Sequence, residues 1–281
     1  MPELPEVEVL VRHLRPLLSG RKIRSVSVRR AKVLHPTPVA TFSKTLIGAT
    51  IQELRRRGKY LLFDLKKGRG RLVLLGHLGM TGRMYVAAKK EALPKHTAVV
   101  FDLGGKQFIY EDTRYFGRLT LELTSAEQLG PEPWDESLTA ETLVRELKKS
   151  RQPVKVKLLD QTLIAGIGNI YASEVLFRTG ISPRRAANRV TVAEAGRMLT
   201  NIRDVLNEAI ACGSTIPLNF TGRKSDGLFY FGQAPGTPDY YEERLRVYDR
   251  AGKPCIHCQT PVKRIVQAAR STFFCPQCQK K

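Results

Sequence analysis

Residues 1–6 of the chain are MPELPE, which places a proline at the second position. When Met1 is removed, as is usual before a small residue, Pro2 becomes a secondary amine at the N-terminus. An α-amino group titrates near pH ~7.7–8, so roughly a tenth of it is neutral and nucleophilic at pH 7. Such an amine can attack a sugar or carbonyl carbon and form an iminium, and Glu3 beside it can move the protons of that attack. The alternative is that Met-Pro is an ordinary start, and these residues alone favour that alternative.

The charge of the chain indicates a polyanionic partner. Its 281 residues suffice for two domains and a small appendage, and 47 Lys and Arg against 26 Asp and Glu give a formal net charge of +21. Such a field attracts polyanions, of which nucleic acid is the commonest large one. A basic membrane-surface protein is the rival interpretation, but the sequence has neither a basic amphipathic helix nor a lipid anchor. Since no run approaches about 18 apolar residues and no signal-peptide layout is present, we expect a soluble intracellular protein.

The apolar pattern changes along the first half of the chain. Pro5 suits the first turn of a helix, and apolar residues recur at helical spacing up to Leu18, which predicts a helix of about fourteen residues. From Lys22 to Leu123, short apolar runs alternate with turns such as Gly104-Gly105, which predicts an antiparallel β-sandwich. The predicted strands are Ile23–Val28, Tyr60–Leu65, Arg71–Leu75, Met84–Val86, Ala98–Leu103, Gln107–Tyr110 and Leu119–Leu123.

Helices are predicted after residues 130–135, GPEPWD, a stiff segment that we expect to be a domain boundary. The longest starts at the capping box formed by Thr191 and Glu194 and ends at Gly213. Residues 214–246 show no steady period and predict a long mobile loop. The other predicted helices are Leu138–Lys149, Val154–Leu159 and Asn169–Arg178. The expected domains are residues 1–130, 131–246 and 247–281.

Four cysteines are grouped as Cys255-x2-Cys258 and Cys275-x2-Cys278, with sixteen residues between the pairs. Two such pairs provide four thiolates for tetrahedral zinc. Four sulfurs leave no open coordination position, so the zinc is expected to be structural; the alternative is four unrelated thiols. Arg270 lies in the basic segment between the pairs, at the expected turn of a zinc hairpin, where it is placed to probe a groove of nucleic acid.

Several other positions have both a structural and a functional interpretation. The turn at residues 166–169, GIGN, either binds a phosphate through the amides of a helix start or packs two helices. Lys59 is either one more solvated cation or a phosphate contact. Met80 and Phe116 are core residues or, exposed on loops, wedges for a base stack. His96, without context, is a surface histidine.

Three motifs, in this order, resemble those of the bacterial formamidopyrimidine-DNA glycosylases (Fpg, or MutM). They are PELPEVE at residues 2–8, the block at residues 159–177 with GIGNIY at 166–171, and the terminal four-cysteine finger. The resemblance implies an α+β fold: an N-terminal antiparallel β-sandwich, a helical domain with a helix–two-turns–helix motif, and a zinc-finger β-hairpin, with DNA in the cleft between domains. It also implies base-excision repair, in which oxidised purines such as 8-oxoguanine and formamidopyrimidines are removed and the strand is cut by β,δ-elimination.

The resemblance also gives individual residues their roles. Pro2 would be the Schiff-base nucleophile at the sugar C1′, and Glu3 the proton donor. Lys59 would serve in phosphate contact and the first elimination, and Arg270 in the second. The side chains that fill the gap left by the flipped base would be Met80, Arg114 and Phe116. The DNA-backbone contacts would be His96, Lys155, Asn169 and, at a further basic position, Arg151. The ligands of one structural zinc would be Cys255, Cys258, Cys275 and Cys278.

Two features bear on the lesion that is recognised. Leu4 stands where the endonuclease VIII sister family usually has glycine, which favours purine lesions. The loop at residues 216–246 is longer than expected and departs from the usual sequence of the family loop that covers the flipped base. The alternatives are an oxidised-pyrimidine glycosylase of endonuclease VIII type, a non-catalytic binder of damaged DNA, and an RNA-binding zinc protein. The expected partner is double-stranded damaged DNA, bound by a monomer in the bacterial cytoplasm that associates with the nucleoid.

Overall fold

The predicted N-terminal helix is confirmed, because α1 spans Leu4–Leu18. In the computed structural model, which describes residues 2–89, 92–212 and 245–280, the chain divides into two compact units. The first contains Pro2 and Glu6–Glu127, and the second contains Glu3–Pro5 with residues 128–212 and 245–280. The first residue of α1 belongs to the core of the second unit, and its later apolar residues belong to the core of the first.

The described residues of the first unit form two four-stranded antiparallel sheets, which confirms the predicted sandwich. The strands are β1 (Ser25–Val28), β2 (Thr50–Arg57), β3 (Tyr60–Lys67), β4 (Gly70–His77), β5 (Gly82–Ala88), β6 (Thr97–Asp102), β7 (Lys106–Asp112) and β8 (Arg118–Thr120). One sheet has the order β2-β3-β4-β8 and the other the order β1-β6-β7-β5. Three of these six pairings, β2-β3, β3-β4 and β6-β7, are hairpins between consecutive strands.

Aromatic side chains from both sheets meet in the core of the sandwich. The ring of Phe63 on β3 lies 5.5 Å from that of Phe108 on β7, and Phe101 on β6 lies 5.5 Å from Phe108. Over most of β3, side chains alternate between buried and half-buried, the period of a strand with one face on a core. The face-to-face packing of the sheets therefore follows from the apolar alternation of the sequence.

The elements of the first unit that the sequence prediction missed include β2 and a short helix, α2 (Val39–Leu46). The buried residues Ile51 and Leu54 of β2 are three positions apart, because a β-bulge between Ile51 and Glu53 shifts the register. This spacing breaks the period of two that identifies a strand. A one-turn helix, α3 (Thr124–Glu127), ends the unit.

The second unit contains the predicted helices, with somewhat different ends. They are α4 (Ala140–Leu147), α5 (Val154–Leu158), α6 (Asn169–Thr179) and α7 (Val192–Ala211). Helix α6 ends at Gly180, whose φ of 75° is the left-handed cap that glycine favours. The capping box at Thr191 and Glu194 is confirmed. Helix α7 ends at Ala211, and its predicted end at Gly213 lies outside the described residues.

A β-hairpin forms the C-terminal part of the second unit. Its strands are β9 (Lys263–Gln267) and β10 (Arg270–Phe274). Ala268 and Ala269 both have positive φ, 47° and 58°, as in a two-residue type I′ turn. Arg270 is therefore the first residue of β10, immediately after the turn. The loop predicted at residues 214–246 falls mainly on residues 213–244, outside the described part of the chain, and the division into three domains stays a prediction.

Candidate active site and nucleic-acid interface

The Glu3 carboxylate, which is only 1% exposed, lies at the N-terminus of α6. Its Oε1 accepts a hydrogen bond from the amide of Ile170 at 2.9 Å, and its Oε2 accepts one from the amide of Tyr171 at 3.3 Å. The first amides of an α-helix are left over by its internal hydrogen bonding, and the helix dipole favours an anion at this end. Two hydrogen bonds thus orient the carboxylate of the residue that directly follows Pro2, and Pro2 is itself buried.

The two glycines of the 166–169 turn make room for this arrangement. A Cβ at Gly168 would lie 2.3 Å from Cδ of Glu3, and a Cβ at Gly166 would lie 2.4 Å from Leu4. Gly166 has a φ of 93°, and its carbonyl accepts from the amide of Leu4 at 3.1 Å. The turn was predicted either to bind a phosphate or to pack helices. The anion that it holds in this structure is the carboxylate of Glu3.

The contact of Lys155 with the DNA backbone that the resemblance implied stays a prediction. Lys155 is 1% exposed, and its Nζ donates to Oδ1 of Asn169 at 2.5 Å, to the carbonyl of Ser271 at 3.1 Å and to Oγ1 of Thr272 at 2.8 Å. All three ammonium protons are therefore used within the protein. Burial, with Arg270 as a further cause, lowers the pKa of Lys155 to about 8, although the charge of Glu3 opposes this shift.

Asn169 belongs to the same polar cluster as Lys155, Ser271 and Thr272. Its Nδ2 donates to the carbonyl of Ser271 at 2.9 Å and to the hydroxyl of Tyr248 at 3.5 Å. The cluster joins α5, the first residue of α6 and strand β10. Arg270 follows the hairpin turn and is exposed, and Arg151 is exposed just before α5. The second unit therefore combines a fixed polar cluster with solvent-exposed guanidinium groups.

Lys59 is not the solvated cation of the simpler interpretation, because only 8% of it is exposed. It follows Gly58, whose φ of 55° forms the turn between β2 and β3. The next residue, Tyr60, pairs with His77 at the end of β4, and the two rings lie 5.0 Å apart. The turn therefore places Lys59 next to the aromatic pair formed by Tyr60 and His77.

His77 was not among the site residues predicted from the sequence. Its Nδ1 accepts a hydrogen bond from the amide of Gly79 at 3.1 Å, so the proton of the neutral ring is on Nε2. Burial, followed by the positive charges of Lys59 and Arg118, lowers the pKa of His77 to about 4. His77 is therefore a neutral donor near Lys59. The feature that could have identified His77 as a site residue is its position at a strand end, opposite Tyr60.

Three of the predicted interface side chains come together on the first unit. Met80 is 46% exposed and Phe116 is 49% exposed, so neither is a core residue. The guanidinium of Arg114 lies 4.6 Å from the centre of the Phe116 ring, and its Nη1 lies 3.3 Å from Sδ of Met80. We call Met80, Arg114 and Phe116 the wedge cluster. His96 is half-buried. Its ring lies 6.4 Å from that of Tyr115, which is in the same loop as Arg114 and Phe116.

The four cysteines are arranged as a metal site. The sulfurs of Cys255, Cys258, Cys275 and Cys278 lie within 4.8 Å of one another. The Sγ atoms of Cys258 and Cys275 are 3.4 Å apart, and those of Cys255 and Cys278 are 3.8 Å apart. A tetrahedron with Zn–S bonds of ~2.3 Å has sulfurs about 3.8 Å apart, so the residues fit one structural zinc ion.

Three family models match the chain in order. The formamidopyrimidine-DNA glycosylase N-terminal domain matches residues 1–119, the H2TH domain of the same enzymes matches residues 129–219, and the zinc finger found in FPG and IleRS matches residues 252–281. Together with the geometry above, they define the class of protein: a DNA glycosylase of base-excision repair. Among the described residues, no helix is long and apolar enough to cross a membrane.

Known proteins resemble the chain over its full length. The formamidopyrimidine-DNA glycosylase of Paracoccus denitrificans is 42% identical, with 100% of both chains covered. Two structures of the Lactococcus lactis protein, one of a mutant with Fapy-dG-containing DNA and one of the wild type with DNA containing an oxidised pyrimidine, are each 33% identical, with a TM-score of 0.86 over 100% of both chains. The chain belongs to the formamidopyrimidine-DNA glycosylase family, in which AP lyase activity is typical.

Proposed function

We propose that this protein removes oxidised purines, including 8-oxoguanine and formamidopyrimidines, from double-stranded DNA and then cuts the strand by β,δ-elimination. The observation that carries the proposal is the placement of the Glu3 carboxylate, held by two amides of α6 and joined directly to Pro2. The structure of the Lactococcus lactis protein with Fapy-dG-containing DNA supports the lesion class.

In the proposed reaction, the nitrogen of Pro2, exposed once Met1 is removed, attacks C1′ of the damaged nucleotide. The glycosidic bond breaks, and the base leaves with the electron pair and takes up the proton that the Pro2 nitrogen gives up. Glu3 gives a proton to the sugar ring oxygen, and the ring opens to an iminium. Loss of a C2′ proton then expels the 3′ phosphate, with Lys59 assisting. Loss of the C4′ proton then expels the 5′ phosphate, with Arg270 assisting, and water hydrolyses the iminium to free Pro2.

The other proposed roles concern the DNA. The wedge cluster would fill the gap left by the extruded base, and its exposure supports this role. His96, Arg151 and Asn169 would contact the DNA backbone. Lys155 would be a further contact with the backbone, and its ammonium also holds Asn169 and strand β10. With a net charge of +21, binding is expected to weaken steeply as salt is raised.

Borohydride trapping tests the nucleophile. With an 8-oxoguanine duplex, the wild-type protein should give a covalent protein–DNA adduct, and Pro2→Gly should abolish it. Pro16→Ala, a change at an exposed proline within α1, should leave the adduct intact. Mass spectrometry of the active protein should find Met1 absent. An adduct that survives Pro2→Gly would exclude Pro2 as the nucleophile.

A second candidate is excision of oxidised pyrimidines. The Lactococcus lactis structure with an oxidised pyrimidine shows that a family member accommodates such a base. Against it, Leu4 rather than glycine occupies the third position of the mature chain, and its side chain is fully buried against Gly166. A cleavage panel with 8-oxoguanine, formamidopyrimidine, thymine glycol and abasic duplexes separates the candidates. Tight binding without any nicking would instead indicate a non-catalytic binder.

Three further proposals concern the protein as a whole. We propose that it acts as a monomer in the bacterial cytoplasm, associated with the nucleoid through DNA binding. We also propose the domains 1–130, 131–246 and 247–281. Sedimentation of the free protein and of its complex with a lesion duplex would test the first of these, since one protein should bind each duplex.

A further inference from the structure

Asp112, the last residue of β7, is fully buried and accepts hydrogen bonds from two loops. Its Oδ1 accepts from Oγ1 of Thr81 at 2.6 Å and from the amide of Arg114 at 3.1 Å. Its Oδ2 accepts from the amide of Gly117 at 2.9 Å and from the hydroxyl of Tyr110 at 3.4 Å. One carboxylate thus joins the turn at residues 78–81 to the loop at residues 113–117.

The two loops also touch through their backbones. Gly79 has a φ of 61°, and a Cβ there would lie 2.6 Å from the amide nitrogen of Gly117. A Cβ at Gly117 would lie 2.5 Å from the carbonyl oxygen of His77 and closer still to the hydroxyl of Tyr110. No side chain separates the loops at this point. Their relative position therefore depends on the groups that bridge them, foremost the Asp112 carboxylate.

The conformation of the second loop is itself unusual. Tyr115 has a φ of 52°, a left-handed conformation that a residue with a side chain rarely adopts. Nε of Arg30 donates to the hydroxyl of Tyr115 at 3.1 Å, and the guanidinium lies 5.5 Å from the ring centre. Tyr115 lies between Arg114 and Phe116, and the guanidinium of Arg114 contacts the ring of Phe116. A strained backbone of this kind persists only where surrounding contacts hold it.

We propose that Asp112 is a positioning residue that couples the two loops, so that Met80, Arg114 and Phe116 enter the DNA as one preformed unit. The inference rests on the proposed function, because it assigns the wedge cluster a role in base extrusion. Rigid side chains lose less conformational entropy on insertion than mobile ones, so a preformed wedge lowers the cost of holding the base out of the stack. Asp112 itself need not touch DNA.

Asp112→Asn tests the inference with little change in volume. In either orientation the new NH2 group faces a backbone amide, that of Arg114 or that of Gly117, and one acceptor is lost. We expect the single-turnover rate on an 8-oxoguanine duplex to fall roughly tenfold to a hundredfold. Strand cleavage of a single-stranded abasic oligonucleotide, which needs no extrusion, should stay within about twofold of wild type.

Asp102→Asn is the matched control. Asp102 also accepts from the amide two residues later, that of Gly104 at 2.8 Å, and it pairs with Lys89 at the surface of the same unit. This variant should match wild type on both substrates. Thr81→Val, which removes only the hydroxyl donor to Asp112, should reproduce the substrate-dependent loss in milder form. If Asp112→Asn does not fold, Thr81→Val still tests the inference.

A double-mutant cycle distinguishes positioning from general stabilisation. If Asp112 acts through the wedge cluster, adding Asp112→Asn to Phe116→Ala should cost clearly less on the duplex than Asp112→Asn alone. Additive losses, equal losses on both substrates, or a Thr81→Val protein that matches wild type on the duplex would overturn the inference. Failure of the proposed function has a different signature, because the wild-type protein would then cleave neither substrate.

Discussion

Glu3 and Ile170 are joined by a hydrogen bond of 2.9 Å from the helix amide to the carboxylate, across 167 positions of the sequence. This contact places a carboxylate beside Pro2 and at the positive end of a helix dipole. A carboxyl group of fixed orientation is better placed than a solvated one to move a proton to or from one atom. The site predicted from the Pro-Glu start of the sequence therefore also requires residues from the middle of the chain.

Gly168→Ala should displace the Glu3 carboxylate. The new Cβ would lie 2.3 Å from Cδ of Glu3, so the side chain or the helix start must move. We expect base excision to fall by about 10²-fold or more, the usual contribution of a placed proton donor. Unfolding in urea should report a loss of about 1–3 kcal/mol, because the carboxylate loses its hydrogen bonds in a buried place.

Gly196→Ala is the control for this prediction. Gly196 lies within α7, where the closest atom to an added Cβ is 3.8 Å away, at Ala140. Alanine should leave activity unchanged and stabilise the helix by up to about 1 kcal/mol. A Gly168→Ala protein with wild-type excision would contradict the role of the contact between Glu3 and α6.

His77 should make the protein sensitive to acid. Its pKa is about 4 when folded and near ~6.5 when unfolded. Between these values the unfolded chain binds more protons, so the stabilisation is complete above pH ~6.5 and is lost as the pH falls towards about 4. At about 1.4 kcal/mol for each pH unit, the loss amounts to roughly 3 kcal/mol.

The measurement is urea unfolding of wild type and His77→Gln at pH 7.5 and at pH 4.5. Glutamine does not titrate, so the variant should lose less stability than wild type on acidification. If both proteins lose the same free energy of unfolding on acidification, the pKa of His77 does not differ between the folded and unfolded states, and the prediction is wrong.

Lys155→Met should affect the second elimination more than base removal. The change leaves Oδ1 of Asn169, the carbonyl of Ser271 and the hydroxyl of Thr272 without their shared donor. The start of β10, which carries Arg270, should then be less well fixed. On an abasic duplex, the share of δ-product should fall by about threefold or more relative to β-product, as expected for a loss near 1 kcal/mol. Lys148→Met, at an exposed lysine after α4, should leave the ratio unchanged.

Zinc should be bound once per chain and should be needed for DNA binding. Metal analysis should find one zinc in the wild type, and Cys278→Ser should lose it, because each of the four sulfurs belongs to the site. Cys212→Ser should retain zinc, since Cys212 is partly buried against the helical core, apart from the cluster. Full binding of lesion DNA by a zinc-free protein would contradict a structural role for the metal.

Local sequence patterns were enough for much of the fold. Periodicity predicted α1 and α7, and the C-x2-C pairs predicted the metal site. The pattern failed at β2, where a bulge separates Ile51 and Leu54 by three positions. Motif resemblance selected Met80, Arg114 and Phe116, which the structure indeed brings together.

Contacts between distant residues were beyond the sequence. The partners of Lys155 within the protein, Ser271 and Thr272, are more than a hundred positions away along the chain. Burial of a lysine depends on such partners, and nothing in its local sequence reveals them. Asp112 was not selected for the same reason, because its importance lies in joining Thr81 to Gly117.

The dependence of Glu3 on α6 has a consequence for synthesis on the ribosome. The terminal amine emerges first, while the amides that hold the neighbouring carboxylate emerge some 167 residues later. A polypeptide that stops before Ile170 would have the proposed nucleophile but not the amides that orient Glu3. The proposed centre can therefore be complete only after the ribosome has made the start of α6.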